Sequence, residues 1–239
     1  MTELLFLDDA YRKTASACVL AQTETGGLAL DRSIFYPTGG GQPGDSGDLV
    51  WDGGTCAIAT TIKGAGGHII CQPAIGQTAP PVGITVEMRL DWARRFGHMR
   101  VHSALHLLSV ALPYGVTGGS ISADKGRIDF NMENPPEDKE ALAASLNAMI
   151  ATDARVSEEW ITEAELDAQP ELVKTLTVQP PRGTGRIRLI RIADDQRTID
   201  LQPCGGTHVW RLSEIGAVRV GKVEKKGRMN RRVYLHLLD

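Results

Sequence analysis

The chain has 239 residues, 42% hydrophobic and 23% charged, the balance of a soluble globular protein long enough to bury a core as one large domain or two small ones. Its formal net charge of −3 excludes a globally basic nucleic-acid binder, so any such contact has to rest on local patches. The opening MTELLFLDDAYRKTA carries too short an apolar run for a signal peptide, and no stretch of 18 apolar residues is present to span a membrane. Cys18, Cys56, Cys71 and Cys204 therefore read as reduced thiols in a cytoplasmic protein.

Residues 1–88 read as β-rich. KTASACVLAQ and GGTCAIATTIKGAGGHIICQP are short, β-branched and bounded by Gly and Pro. GITVEMRLDW alternates, placing Ile84, Val86, Met88 and Leu90 on one side. Many glycine-bounded strands in so short a span predict a small N-terminal β-barrel or sandwich, of which the barrel is the expectation.

The period changes in residues 89–239. Asp91 is the predicted N-cap of a helix with Val101, Leu105, Leu108 and Leu112 on one apolar face, and Pro113 stops it. GRIDFNM reads as a strand, and PPEDKEALAASLNAMIATDA as a second helix that opens on its prolines and acids. VSEEWI is a further strand, and Thr162 and Glu165 have capping-box spacing. GRIRLIRIADD, IDLQP and GAVRVGKVEKKGRMNRRVYLHLL supply strands to the end. The expected class is α+β, a β-barrel followed by a domain with an antiparallel sheet packed against helices.

Two segments carry chemistry. His102 and His106 are four apart on the predicted helix and share a face, with His98 one turn earlier. Cys204 and His208 have the same spacing, but the glycines of CGGTH make a tight loop there. Three histidines and one cysteine match tetrahedral zinc with mixed nitrogen and sulfur donors. Ser103 follows His102 where the H-E-x-x-H metalloproteases carry their general base. PCGGTH begins like the P-C-x-x-C deaminase signature but lacks its second cysteine. A structural zinc remains open, although a single cysteine leans towards a site that handles a ligand.

MRVHSALHLL followed far downstream by CGGTHV resembles the paired ligand motifs of alanyl-tRNA synthetase editing domains. FYPTGGGQPGDSG, GSISADKGRIDF and KVEKKGRMNRRVYL are similar to segments of the same family. With no aminoacylation region apparent, the chain resembles the free-standing alanyl-tRNA editing proteins, the AlaX family, in their medium-length form. The resemblance implies a zinc-dependent hydrolase that deacylates mischarged tRNA for alanine, chiefly one carrying serine and sometimes glycine. It implies zinc (Zn2+) held by His102, His106, Cys204 and His208, and a barrel over residues 1–88 with the editing domain over 89–239. The related threonyl-tRNA synthetase loop reads C-x-G-P-H, and Thr207 in place of that proline favours the alanine branch. Thr117 stands where synthetase editing domains often carry a glutamine.

An apolar pocket rejects an added hydroxyl weakly, so selecting serine over alanine calls for a hydrogen-bonding partner. The resemblance places YPTGGGQ beside the pocket and so implies Thr38 as that partner, with a turn residue as the alternative, and Ser120 is a second candidate. Gly40 lies in a glycine run that either brings backbone amides to a ligand or makes a tight turn; without G-K-[ST] it is not a nucleotide-binding loop, and no nucleotide cofactor is expected. Lys222, Lys225, Lys226, Arg228, Arg231 and Arg232 form a basic run suited to tRNA phosphates, unless it is a solvated face. RGTGRIRLIR adds Arg182, Arg186, Arg188 and Arg191, and ARRFGHMR adds Arg94, Arg95 and Arg100. Two other readings stay open: a zinc-stabilised tRNA-binding module without catalysis, and a metal-dependent hydrolase of another ester.

Overall fold

The computed structural model describes residues 1–177, 179–180, 182–183 and 185–238. The chain divides into two units, Met1–Phe96 and Gly97–Asp239. The first contains β1 (Glu3–Leu4), α1 (Leu5–Asp8), β2 (Thr14–Gln22), β3 (Leu28–Leu30), β4 (Arg32–Ser33), β5 (Gly47–Trp51), β6 (Gly54–Lys63), β7 (Ile69–Pro73) and β8 (Thr85–Leu90). Six of these strands close into a barrel in the order β2-β3-β7-β6-β5-β8, while β1 and β4 pair in parallel beside it. The expected barrel is present. Its core follows from alternation: Ala17 and Val19 of β2 and Val86, Met88 and Leu90 of β8 turn inward with Leu49, Ile58 and Cys71. Ile84 packs against the same cluster, as its place in the alternating run predicts.

A buried ion pair holds this unit's irregular segments. Arg95 is fully buried, and its Nε donates to both carboxylate oxygens of Asp45, at 3.1 and 2.9 Å. Its terminal nitrogens donate to the carbonyls of Ala10 (2.8 Å) and Ile34 (2.7 Å) and to Asp45 Oδ2. Asp45 Oδ2 also accepts the Tyr36 N–H at 2.6 Å. One guanidinium thus ties three loops, and every charge has a partner, the condition on which a buried pair is tolerated.

Helix α2 runs from Trp92 to Ala111. Asp91 caps it, accepting the Arg94 N–H at 3.2 Å, and Pro113 ends it, as the sequence predicts. The predicted single apolar face is too narrow a description, because every residue from Val101 to Ser109 is buried. The second unit surrounds that stretch, so the histidine face is enclosed as well.

The second unit continues with β9 (Val116–Ile121), β10 (Lys125–Asn131), α3 (Lys139–Ala151), β11 (Arg155–Ile161), α4 (Glu163–Asp167), β12 (Ile187–Ala193), β13 (Thr198–Pro203), β14 (Ala217–Gly227) and β15 (Asn230–Leu238). They form two antiparallel sheets, β14-β15-β10-β9 and β11-β12-β13. The α+β class is as expected. Two glycines allow α2 to press on its neighbours. A Cβ on Gly126 of β10 would lie 2.6 Å from Val101, and one on Gly97 would lie 2.5 Å from the Ala123 carbonyl. Helix α3 starts at Asp138, whose carboxylate accepts the Ala141 N–H at 2.8 Å, so the two prolines precede the helix rather than open it. Asn147 fastens α3 to β14 by bonding both the N–H and the carbonyl of Val218, at 2.9 and 2.8 Å. Thr162 and Glu165 form the predicted capping box of α4. Leu166 of α4 packs on Ile187 and Leu189 of β12.

Replacing Arg95 by alanine leaves Asp45 buried without its cation. Urea denaturation is expected to show about 3–5 kcal/mol of destabilisation. A midpoint equal to wild type would mean that the pair does not hold the loops.

Candidate metal centre

The two sequence motifs meet in the second unit. His102, His106, Cys204 and His208 offer ligand atoms that all lie within 4.8 Å of one another. The i, i+4 pair projects from α2, with ring centroids 5.4 Å apart. The other pair comes from the loop after β13, and the His208 ring lies 4.3 Å from that of His102 and 4.6 Å from that of His106. Cys204 Sγ is 3.5 Å from His102 Nε2 and 3.3 Å from His208 Nε2. His98 is also buried on α2, but among the described residues it is not one of the converging four.

The surroundings orient the donors. His106 Nδ1 lies 2.8 Å from Asp200 Oδ2 and 3.1 Å from Gln202 Nε2; the nearer carboxylate can only accept, which favours the proton on Nδ1 and leaves Nε2 for a metal. His208 Nδ1 lies 3.2 Å from Ser103 Oγ, which also accepts the Val209 N–H at 3.2 Å. The Gly206 N–H donates to Cys204 Sγ at 3.4 Å. Arg188 braces the loop from below: Nη1 donates to the Cys204 carbonyl at 3.0 Å and the Gly206 carbonyl at 2.8 Å, and Nη2 to Glu158 at 2.5 Å.

Electrostatics favour a thiolate among imidazoles. Burial raises the Cys204 thiol, but the adjacent histidines outweigh it and hold it well below its ordinary value. Burial, reinforced by His102, holds His208 well below 6.5, in the neutral form that binds metals. Burial also opposes the charged form of His106, yet Asp200 and Cys204 prevail and lift it to about 9. A cation entering among these donors displaces that proton, so uptake releases it. One soft sulfur and three imidazoles, with Nδ1 tied on two of the rings, fit zinc.

The other expected site residues fall as follows. In the first unit, Thr38 Oγ1 donates to the Thr61 carbonyl at 3.2 Å and accepts the Gly44 N–H at 2.9 Å, keeping one lone pair. Gly40 and Gly41 have φ of 57° and 83° between Gly39 and Gln42, whose main chains bond in both directions, so the glycine run forms a tight turn. In the second unit, Ser120 is half-buried on β9 opposite Arg127. Thr117 Oγ1 donates to the Asp129 carbonyl at 3.0 Å and accepts from Asn230 at 3.0 Å. Lys222, Lys225, Lys226 and Arg228 are exposed along the β14–β15 hairpin, where Lys222 and Lys226 both pair with Glu224. Arg231 is buried, with its guanidinium on the carbonyls of Gly227 and Asn230, and Arg232 grips Asp129 with two bonds of 2.8 Å.

Comparison with known proteins then places the chain. Residues 187–234 match the family described as the threonyl and alanyl tRNA synthetase second additional domain, and residues 8–94 match the class II (A) tRNA synthetases. An alanyl-tRNA editing protein AlaX-M of Methanosarcina mazei is 32% identical over 249 residues, covering 100% of this chain and 98% of that protein. One of Saccharolobus solfataricus is 36% identical over 241 residues, covering 98% of each. The chain belongs to the AlaX-M family of alanyl-tRNA editing proteins. An alanine–tRNA ligase of Pyrobaculum neutrophilum is 31% identical over 233 residues, 94% of this chain but 25% of the ligase. This chain thus matches about one quarter of that ligase.

Asp200, Lys174 and Arg188 escaped the sequence reading as parts of the site. Arg188 sat in a run of arginines read as suited to tRNA phosphates or else as a solvated face, yet it is 7% exposed. Asp200 left one signal, an acid at an inward position of a strand ending at the cysteine loop. Replacing Arg188 by methionine removes the brace from the Cys204 and Gly206 carbonyls and leaves Glu158 unpaired. Thermal or urea unfolding is expected to show about 1.5–3 kcal/mol lost, with faster amide exchange at Gly205–His208. Unchanged exchange in the loop would dissociate Arg188 from its geometry.

Proposed function

We propose that this chain is a trans-acting aminoacyl-tRNA deacylase that hydrolyses the ester of mischarged tRNA for alanine, with serine as the main misplaced residue and glycine as a second. The observation that carries the proposal is the convergence of His102, His106, Cys204 and His208 in a member of the AlaX-M family. Its cofactor is zinc, held by those four residues. When bound, zinc would supply Lewis acidity and a positive charge beside the aminoacyl ester. The protein's own part is to hold imidazole Nε2 atoms and a thiolate inward, under a shell in which Asp200, Ser103 and Arg188 are already paired. An aminoacyl ester is activated, so positioning the carbonyl and admitting water suffice, and no nucleotide is consumed. This work belongs to the cytoplasm, where tRNA is charged; no helix of the described residues is long and apolar enough to cross a membrane.

The exposed cations Lys222, Lys225, Lys226 and Arg228 supply tRNA phosphate contacts. Lys225 and Arg228 are the clearest, since Glu224 takes part of the charge of the other two. Replacing both by alanine is expected to make the log–log salt dependence of tRNA binding shallower by roughly 1–2, with turnover at saturating tRNA unchanged. An unaltered slope would remove the hairpin from the tRNA interface.

The central test is release of serine from seryl-tRNA for alanine by the purified protein. Wild type should release it without ATP and carry about one zinc per chain, and Cys204→Ser should lose most of that zinc. His102→Ala with His106→Ala should abolish release while tRNA binding persists. Binding without release by wild type would favour a non-catalytic tRNA module, and equal turnover of an ester lacking the tRNA would favour a general hydrolase. Thr38→Val tests the serine-reading role: it should lower turnover of the seryl substrate more than that of the glycyl one.

A further inference from the structure

We infer that Asp200 is a positioning residue of the metal centre: it fixes His106 in the tautomer that presents Nε2 to the ion, and is itself held by Lys174 and Gln202. The inference rests on the proposed zinc site and concerns the side chains behind it. Asp200 is 4% exposed on β13, and its two oxygens are used differently. Oδ2 lies 2.8 Å from His106 Nδ1 and accepts from Gln202 Nε2 at 2.7 Å. Oδ1 accepts from Lys174 Nζ at 2.5 Å. Ser109 closes the circuit. Its Oγ accepts from Lys174 at 3.3 Å and Gln202 at 3.2 Å, and donates to the carbonyl of His106 itself at 2.8 Å.

This arrangement exceeds what a structural salt bridge requires. A bridge to Lys174 needs only Oδ1, whereas Oδ2 is directed at the one imidazole nitrogen that must keep its proton. Lys174 also has a distinct task. A buried carboxylate near a thiolate would meet repulsion, and the ammonium offsets that charge without touching the ligands. His208 is oriented by a neutral hydroxyl instead. His106 is therefore the more strongly polarised imidazole of the two, because a hydrogen bond to a carboxylate raises a ligand's donor strength more than one to a hydroxyl.

The test is zinc affinity, read by competition with a chromophoric chelator, for wild type, Asp200→Asn and Lys174→Met. Asp200→Asn keeps the size of the side chain but turns an amide towards Nδ1, and its zinc dissociation constant should rise by about 10–100-fold. Lys174→Met leaves the carboxylate on His106 and should weaken binding less. Unfolding of each variant in excess chelator shows whether the effect is local. A long-range nitrogen-15 spectrum of zinc-loaded wild type provides a check that needs no variant: His106 should carry its proton on Nδ1 and lose it from Nε2. If wild type takes up zinc and Asp200→Asn matches its affinity, or if the spectrum puts the metal on Nδ1, the role of Asp200 is overturned while the zinc site stands. If wild type takes up no zinc, the metal reading falls and this inference falls with it.

Discussion

The second unit is organised by a constraint that its central helix cannot avoid. Val101–Ser109 is buried throughout, yet it contains His102, Ser103, His106 and Ser109 among its apolar residues. Each buried polar group costs free energy comparable to a lost hydrogen bond unless it is satisfied. Each has a role in one network. Ser103 faces His208 and the Val209 amide, Ser109 binds back to the His106 carbonyl, and His106 meets Asp200. Burial of the ligands and orientation of the ligands are consequently one physical fact. A histidine on a solvent-facing helix would sample rotamers that this enclosure denies.

Enclosure in turn depends on how near other backbones come. Gly126 lets β10 lie against Val101 and Leu105, and Gly97 lets the helix pass the Ala123 carbonyl. On the histidine side, approach is governed by polar contacts, from β13 through Asp200 and Gln202 and from the loop that follows it. That loop has few apolar anchors near Cys204, so its shape relies on Arg188, which binds two of its carbonyls and is itself paired with Glu158. The apolar side of the helix sets its depth, and the polar side sets where four donor atoms point.

The parts of this arrangement that repeat were legible in the sequence. Alternation located β8, a capping aspartate and a proline bounded α2, and the capping box of α4 is Thr162 with Glu165. The ligand pairs were legible because each pair sits within one turn or one loop. What was not legible acts across long separations. Asp200 is 94 residues from His106, and Arg95 is 50 from Asp45. A buried acid or arginine reads as surface until its partner is known. Arg188, Arg231 and Arg232 illustrate the same limit, since a run of cations carries no sign of which of them turn inward. The start of α3 shows a local failure with a local cause: the prolines suited a first turn, but Asp138, further on, offers the cap that satisfies a free N–H.

A metal that joins His106 to Cys204 closes a span of 98 residues (204 − 106). In the chain-entropy picture, cross-linking a loop of that size is worth over 4 kcal/mol against the unfolded state. Small zinc domains spend binding energy in this way, because without the ion they do not fold. This unit differs in having a core of its own, with Leu107, Leu108, Phe130, Leu146 and Leu235 all buried. Its donors are also already aimed, by Asp200 at one imidazole, by Ser103 at another and by Arg188 beneath the thiolate loop. The cost of gathering the ligands is therefore met by folding. An ion entering this centre would therefore lose less of its binding free energy to ordering the protein and keep more of it as affinity.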